Sequence, residues 1–279
     1  MNITTCVSTY NNLPYLKLAI KSVREYSYYK DMPIIIHAEN CDDGTDEWLE
    51  ENHQKYNFRF YIEKQEDPVG IGGGMNYCAD RVETEFINFI HSDFYVSKNW
   101  DLELHRVFEK YPDQELWVNS FRIEPNMFGA PERHGTLFVD PRQFGAYYHD
   151  FDEKSFIEYA EEFSNMNDIE IPKGEGVSGL VRKTLWDKIG GNDLTFRPTS
   201  WDDMDLFLRM RNEDVKFVMP TKSVLWHFGA RGSHRLEENG GKSSKRVLES
   251  EQRGAVKFYQ KWGGMPDYDQ YGMICGIKR

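Results

Sequence analysis

The first hundred residues alternate between short apolar runs and longer segments in which apolar side chains recur with helical spacing. The run at residues 33–37 is continuously apolar, which is typical of a strand covered on both faces. Strands that alternate with helices predict an α/β fold with a mostly parallel central sheet and helices on both faces. The predicted strands are residues 3–8, 33–37, 58–62 and 85–90. The predicted helices are residues 13–26, with Pro14 in the first turn, and a segment through 48–50 capped by Thr45 or Asp46. Residues 70–79 are predicted to form a glycine-rich turn that enters a helix.

The second half of the chain interrupts this alternation. Residues 120–173 mix prolines, glycines and aromatic residues and include an acidic amphipathic segment at 152–163, so we interpret them as an insertion between sheet elements. After the insertion the pattern predicts a strand and helix within 176–189, short strands at 216–219 and 223–226, and a final helix at about 250–262 that ends at Gly263. The expected divisions are residues 1–119, the insertion 120–173, residues 174–228, and a flexible loop with a C-terminal helix in 229–279.

Composition narrows the class of protein. The net charge of −12 argues against nucleic acid as a partner. No run approaches 18 consecutive apolar residues and the first residues lack a signal-peptide pattern, so we expect no transmembrane segment and a cytoplasmic location. The four cysteines are scattered and form no CxxC pair, which is typical of free buried thiols in a reducing compartment.

The densest chemical signal is a group of acidic residues at the head of a predicted helix. Asp202, Asp203 and Asp205 follow Trp201 directly, and crowded carboxylates need a cation, a proton or hydrogen-bond donors to compensate them. A helix dipole favours an acidic first turn, which accounts for one or two of the three acids. A carboxylate held here in an apolar setting is a candidate to accept a proton from an attacking hydroxyl.

Two further segments lie where parallel sheets bind ligands, beyond the carboxyl ends of strands. Asp93 follows a predicted strand directly and is either a ligand for a divalent cation or the cap of the next turn. His227 follows a later strand and is either a core histidine or a metal ligand, and its position favours the ligand role.

The glycine-rich and acidic turns are less specific. Residues 70–74 do not fit a dinucleotide-binding GxGxxG motif, because Met75 occupies the last glycine position and the segment follows the third strand rather than the first. We therefore expect a permissive turn that approaches a ligand. The acidic turn at residues 39–45 is either a solvated loop with a helix cap or a ligand contact.

Taken in order, these segments resemble the GT-A-fold glycosyltransferases of the large inverting family two. The segment from Asp202 to Leu206 with Arg209 resembles that family's Glu-Asp-x-Asp-Leu pattern, and residues 91–93 fall at its DxD metal motif. The resemblance covers roughly residues 1–119 and 174–264. Further similar segments are residues 5–12, the acidic turn 43–46, Gly70 with Asn76, residues 176–182 and 190–193, Pro220 with His227, and residues 258–263.

The resemblance implies a Rossmann-like GT-A fold and a hexosyltransferase-type enzyme. It would transfer a sugar from a nucleotide-diphosphate sugar, with UDP favoured, to a hydroxyl of a carbohydrate or glycoconjugate acceptor. Residues 1–119 would bind the donor, 120–173 would shape the acceptor side, and 174–228 would supply the base and the metal histidine. The implied roles are Asp203 as general base with Asp202 beside the acceptor, Asp93 and His227 as ligands of Mn²⁺ or Mg²⁺, and Thr9, Glu39, Asp43, Gly70, Asn76, His91, Ser92, Arg231 and His234 as donor-binding residues.

The chain departs from the family pattern at three points. His91 replaces the first aspartate of DxD, so Asp93 alone carries over as a metal ligand. The acid that would contact the nucleobase is Glu39, Asp42 or Asp43, with Glu39 favoured by position. No Gln-x-x-Arg-Trp pattern is present, which disfavours a membrane-embedded processive synthase.

Two alternative functions remain open at this point. A nucleotidyltransferase that makes a nucleotide sugar normally has a basic glycine-rich loop after the first strand, whereas here no basic residue occurs before Lys17. A non-catalytic nucleotide- or sugar-binding domain would explain His91, but the presence of Asp93, Asp203 and His227 argues against it.

Overall fold

The computed structural model describes residues 2–127, 129, 132–229, 240 and 242–279. Arg231 and His234, which the family resemblance assigns to the donor diphosphate, lie outside the described residues. So does most of the segment expected to be a flexible loop. The strands are β1 (Ile3–Thr9), β2 (Ile34–Glu39), β3 (Phe58–Glu63), β4 (Phe86–His91), β5 (Phe94–Val96), β6 (Leu116–Val118), β7 (Phe121–Pro125), β8 (Thr136–Val139), β9 (Glu170–Pro172), β10 (Leu180–Arg182), β11 (Lys216–Pro220), β12 (Val224–His227), β13 (Met265–Tyr268) and β14 (Ile274–Lys278).

The helices connect these strands and cover the sheet. Residues 152–163, predicted to be an acidic helix, lie at the start of a helix that Asp152 caps by accepting a hydrogen bond from the Ser155 N–H. The helices are α1 (Leu13–Tyr26), α2 (Thr45–Tyr56), α3 (Gly70–Ala79), α4 (Trp100–Lys110), α5 (Pro141–Phe144), α6 (Glu153–Met166), α7 (Lys183–Ile189), α8 (Asp202–Asn212) and α9 (Lys245–Trp262).

The central sheet has eight strands in the order β3-β2-β1-β4-β10-β6-β11-β9. Strands β3, β2, β1 and β4 run parallel, as do β6 and β11, whereas β10 and β9 are antiparallel to their neighbours. Alternate residues of β1 enter different core clusters, since Val7 packs with α1, α2 and α4 and Cys6 packs with α3, α7, α8 and α9. The predicted α/β fold, with helices on both faces of a mostly parallel sheet, is therefore confirmed.

Two smaller sheets were not predicted. Strands β5, β12, β7 and β8 form a four-stranded sheet whose core includes Tyr95, Phe156 and Trp226. Strands β13 and β14 form an antiparallel hairpin after the final helix. Strands of three to five residues leave little periodic signal, which is why both sheets escaped the sequence pattern.

The glycine-rich segment is itself helical, which corrects the expectation of a turn at residues 70–79. Gly70 has φ +72°, and a Cβ there would lie 1.8 Å from the Pro198 carbonyl oxygen. A Cβ on Gly74 would lie 2.2 Å from Ser8 Oγ, so the absence of side chains lets α3 pack closely on β1. These glycines allow close contact within the protein, and the ligand-binding role predicted for Gly70 stays a prediction.

Several helix ends and one cysteine also differ from the sequence expectations. Helix α2 is capped by Gly44 with φ +87°, not by Thr45 or Asp46, because Thr45 already has helical geometry. Helix α9 begins at Lys245, about five residues earlier than predicted, because the Ser244 side chain accepts a hydrogen bond from the Val247 N–H. Cys275 is exposed, whereas the other three cysteines are buried as expected.

Helix α9 is the longest helix of the described part, and it carries charged residues along its length. Within the described residues, no helix combines the length and apolar character needed to cross a bilayer.

Candidate active site

Strand pairing brings two distant acids to one histidine. Strand β12 pairs antiparallel with β5, which aligns His227 with Phe94 and places Asp93 beside it, and the Phe228 N–H donates to the Asp93 carbonyl. On the other side β12 runs parallel to β7, which brings Glu124 alongside. His227 Nε2 lies 3.3 Å from Asp93 Oδ2, and His227 Nδ1 lies 2.9 Å from Glu124 Oε1.

The two acids set the charge state of this histidine. Burial alone would lower the pKa of His227, but the charges of Glu124 and Asp93 outweigh it and raise the pKa to about 9. Burial likewise opposes ionisation of Glu124, yet the charge of His227 and its hydrogen bond lower the pKa of that carboxyl to about 2. The three side chains therefore form a charged, mutually oriented group at the carboxyl end of β4.

The predicted acidic cluster begins α8. Ser200 and Trp201 have φ values of +79° and +71°, an uncommon backbone for residues with side chains. This strained turn directly precedes Asp202 and Asp203, whose half-buried side chains line a cavity. Strain of this kind persists where the surrounding structure fixes it, and it is common at functional sites.

Burial perturbs both carboxylates. Burial, followed by the charge of Asp203, raises the pKa of Asp202 to about 7, although backbone N–H groups partly oppose this. Burial also raises the pKa of Asp203. The two groups titrate as a coupled pair, so the pair holds a proton at a higher pH than ordinary aspartates do. Carboxylates poised in this range are suited to proton transfer near neutral pH.

Asp205 has a different environment from its neighbours. It is fully buried, and its Oδ2 accepts a 2.8 Å hydrogen bond from Arg209 Nε. Its Oδ1 accepts a 2.9 Å hydrogen bond from Trp262 Nε1 and lies 2.6 Å from Lys261 Nζ. Asp205 therefore ties α8 to the end of α9 and, unlike Asp202 and Asp203, does not line the cavity.

One face of α9 holds the strained turn in place through residues spaced four apart. Ser250 Oγ donates a 2.6 Å hydrogen bond to the Thr199 carbonyl. A Cβ on Gly254 would lie 2.6 Å from Trp201 Cδ1, and the ring of Phe258 lies 5.4 Å from that of Trp201. Together with Trp262, these contacts place α9 over the turn that presents the acidic pair.

Two adjoining cavities share Ile71 and Thr199 in their walls. The first cavity, of about 270 Å³, is lined by Thr9, Glu39 and Gly70 of the predicted donor-binding residues. The second cavity, of about 780 Å³, is lined by the predicted residues His91, Asp202, Asp203 and His227. The sequence therefore identified residues of both cavities.

Glu39 organises the wall of the first cavity. Its Oε1 accepts hydrogen bonds from Gln65 Nε2 and the Val69 N–H, and its Oε2 accepts one from the Gly70 N–H. The carboxylate thus fixes the loop that leads into α3 while facing the cavity. Of the three acids considered for the nucleobase, Glu39 is the one that lines the cavity.

Four other predicted residues do not line either cavity: Asp93, which contacts His227, and three residues that make local contacts. Asp43 accepts hydrogen bonds from the Leu13 N–H and from Thr45, which joins the starts of α1 and α2. Asn76 exchanges two hydrogen bonds of 2.8 Å with the backbone of Asn192, and Ser92 Oγ accepts one from Asn12. These side chains position the backbone around the cavities.

Sequence reasoning missed three features of the site. Glu124 orients His227, and Arg246 of α9 lines the first cavity, where its guanidinium donates to the Tyr10 hydroxyl. Helix α9 also contributes Leu248, Glu251, Gln252 and Ala255 to the second cavity, whereas no described residue of 120–173 lines it. The segments that resemble the family gave no signal for these residues, because these residues lie far from those segments in the sequence.

The fold is that of the GT-A-fold glycosyltransferases. The sequence matches the family model described as Glycosyl transferase family 2 over residues 4–169, and the chain belongs to that family. A comparison with curated proteins gives no match. The resemblance found from the sequence is therefore confirmed at the level of family, fold and enzyme class.

Solved structures share the fold at low sequence identity. GalNAc-T7 with UDP, GalNAc and Mn²⁺ gives a TM-score of 0.65 at 11% identity, covering 97% of this chain and 49% of that chain. S. aureus TarS 1-349 in complex with UDP gives 0.54 at 16% identity, covering 93% and 66%. S. aureus TarS gives 0.52 at 14% identity, covering 93% and 40%. The chain thus spans about two fifths to two thirds of the length of these structures.

We predict that Asp205→Asn destabilises the protein by about 2–4 kcal/mol, because an amide placed against three donors leaves buried groups unpaired. The measurement is urea denaturation of the full chain. The matched control is Asp187→Asn, which removes another aspartate paired four residues apart on a helix, but with an exposed Asp187 and a half-buried Lys183. Asp187→Asn should lower the free energy of unfolding by less than about 0.5 kcal/mol. Equal effects of the two substitutions would contradict the structural role of Asp205.

Proposed function

We propose that this chain is a metal-dependent inverting glycosyltransferase that moves a sugar from a nucleotide-diphosphate sugar, with UDP favoured, to an acceptor hydroxyl. The observation that carries this proposal is the pair Asp202 and Asp203, which faces a cavity shared with His91 and His227 and adjoining the cavity of Glu39. Family membership supports transfer over nucleotide-sugar synthesis, and the presence of UDP in two of the compared structures supports the choice of nucleotide.

In this proposal the first cavity binds the nucleoside. Thr9 Oγ1 is buried and has no hydrogen-bond partner among the described residues, so a ligand hydroxyl or carbonyl would satisfy it. Glu39 Oε2 accepts one protein hydrogen bond and retains capacity for an N–H of the base. Arg246 supplies a cation at the same cavity, where it would interact with phosphate oxygens.

Asp93 and His227 are the residues that would hold a divalent cation. Among the described residues no group of three or more His, Cys, Asp or Glu side chains is arranged for a metal. A pair nevertheless fits once His227 has released its Nε2 proton, because Glu124 holds His227 Nδ1 and so orients Nε2 toward Asp93. Substrate phosphates would complete the ligand set. When bound, Mn²⁺ or Mg²⁺ would offset the negative charge that develops on the leaving diphosphate.

Asp203 is the proposed general base and Asp202 its partner at the acceptor. The acceptor hydroxyl oxygen forms a bond to the anomeric carbon while the bond from that carbon to the diphosphate oxygen breaks. The hydroxyl proton passes to Asp203, and the bond electrons leave with the diphosphate. Because the nucleophile attacks opposite the leaving group, this single displacement inverts the anomeric centre.

We predict that Asp203→Asn lowers turnover by about 10²-fold or more, since the amide cannot accept the proton. Donor affinity should persist, because Asp203 lines the second cavity and not the first. Initial-rate kinetics and calorimetric titration with UDP measure the two effects, and Asp202→Asn serves as the neighbouring comparison with a smaller loss. Near-normal turnover by Asp203→Asn would contradict the assignment of Asp203 as the general base.

The acid limb of kcat/KM should lie near pH 7, because burial and mutual repulsion raise the pKa of Asp202 to about 7 within the coupled pair. Activity is present above this value and is lost as the pH falls and the pair takes up a proton. Asp202→Asn should move the limb to lower pH, since one carboxylate no longer repels the other. A limb at the ordinary aspartate range of about pH 4 that does not respond to Asp202→Asn is the contrary result.

Chelation by EDTA should abolish transfer and added Mn²⁺ should restore it. His227→Ala should raise the Mn²⁺ concentration needed for half-maximal activity by at least about tenfold. His149→Ala is the control, because His149 is exposed and lines neither cavity. Full activity in chelator, or equal effects of the two substitutions, would refute a metal site at His227.

A further inference from the structure

The second cavity has an extended apolar wall beside the proposed base. Leu206 and Phe207 follow Asp203 by three and four residues, so they lie one turn further along the same face of α8, and all three line the cavity. The ring of Phe207 lies 6.1 Å from that of Trp117, which also lines the cavity. The apolar surface therefore begins at the point where the acceptor hydroxyl would react.

Helix α9 provides the opposite apolar wall. Leu248 and Ala255 are two turns apart on this helix and both line the second cavity. Leu248 is 48% exposed, so its side chain lies at the cavity mouth and is not buried in the hydrophobic core. An apolar ligand group placed between α8 and α9 would cover this surface.

The charges of the cavity restrict what can bind there. Among the described residues that line it, none is lysine or arginine, whereas Asp202, Asp203 and Glu251 are acidic. A phosphorylated or carboxylated acceptor would meet repulsion from these carboxylates and lose its hydration, while the charge of His227 is already offset by Asp93 and Glu124. An uncharged acceptor meets neither cost.

We propose that the acceptor carries an uncharged apolar group, alkyl or aryl, close to the hydroxyl that is glycosylated. This inference rests on the proposed function, because it takes the second cavity as the acceptor site. The cavity, at about 780 Å³, is almost three times the volume of the first cavity at about 270 Å³, which leaves space for such a group beside the reacting sugars. The apolar group covers the exposed surface of Leu248 and packs against the buried side chains of Leu206 and Phe207, and so raises affinity.

The test measures binding of four probes that share one sugar, to the full chain with UDP and Mn²⁺ present. The probes are methyl β-glucoside, hexyl β-glucoside, phenyl β-glucoside and glucose 6-phosphate, compared by calorimetry or ligand-observed NMR. Hexyl or phenyl glucoside should bind about tenfold or more tightly than the methyl compound, the scale of apolar contacts in a pocket. A preference for hexyl identifies a chain, a preference for phenyl identifies an aromatic group, and glucose 6-phosphate should bind most weakly.

A matched pair of substitutions on α9 locates the effect. Leu248→Gln should lower the ratio of hexyl or phenyl glucoside affinity to methyl glucoside affinity several-fold, whereas Val256→Gln should leave this ratio unchanged. Val256 is 58% exposed on the same helix and does not line the second cavity, so both variants should fold alike.

Four results would overturn the inference: equal binding of the methyl, hexyl and phenyl glucosides, tightest binding of glucose 6-phosphate, no binding by any probe, or equal responses of the two variants. The proposed function is judged separately by turnover of a panel of nucleotide sugars. Turnover without an apolar preference defeats this inference alone, and an apolar preference without turnover of any donor defeats the proposed function alone.

Discussion

The arrangement of the site depends on one buried anion, Asp205. A fully buried carboxylate is costly unless donors surround it, and here Arg209, Lys261 and Trp262 provide them. Two of these donors come from α9, so the carboxylate joins the helix that begins with the acidic pair to the helix that lines both cavities. With the ends of the helices fixed, the contact between Gly254 and Trp201 can hold a strained turn. The adjacent aspartates are thereby kept in an environment that raises their pKa values.

The remaining polar groups follow from strand register. His227, Asp93 and Glu124 meet because β12 pairs with β5 on one side and with β7 on the other. The acidic pair of α8 and His227 of this charged group line the same cavity from different elements. In the proposed function, the base for the acceptor and the residues for a cation therefore come from different elements that meet at one cavity. The proposed division of roles, with proton transfer at the acceptor and charge stabilisation at the leaving group, uses this separation.

Sequence patterns predicted the features that depend on residues close together along the chain. The first four strands and α1 could be found from apolar periodicity, and the acidic cluster could be found from its place at the head of a predicted helix. Contacts between distant residues could not: Glu124 and His227 are 103 residues apart, and Arg246 and Tyr10 are 236 residues apart. The glycines of α3 were misread because their neighbours, Pro198 and Ser8, come close only in the folded chain. The acceptor side was expected in residues 120–173, yet α9 lines the second cavity.

The central claim is that Asp203 activates an acceptor for a single displacement. Stereochemistry tests it most directly, because one displacement inverts the anomeric centre and two displacements restore it. The measurement is a time-resolved ¹H NMR spectrum of the first product formed from a donor of known anomeric configuration. The account predicts a product with the configuration opposite to that of the donor. A product that retains the donor configuration from the first turnover would contradict it.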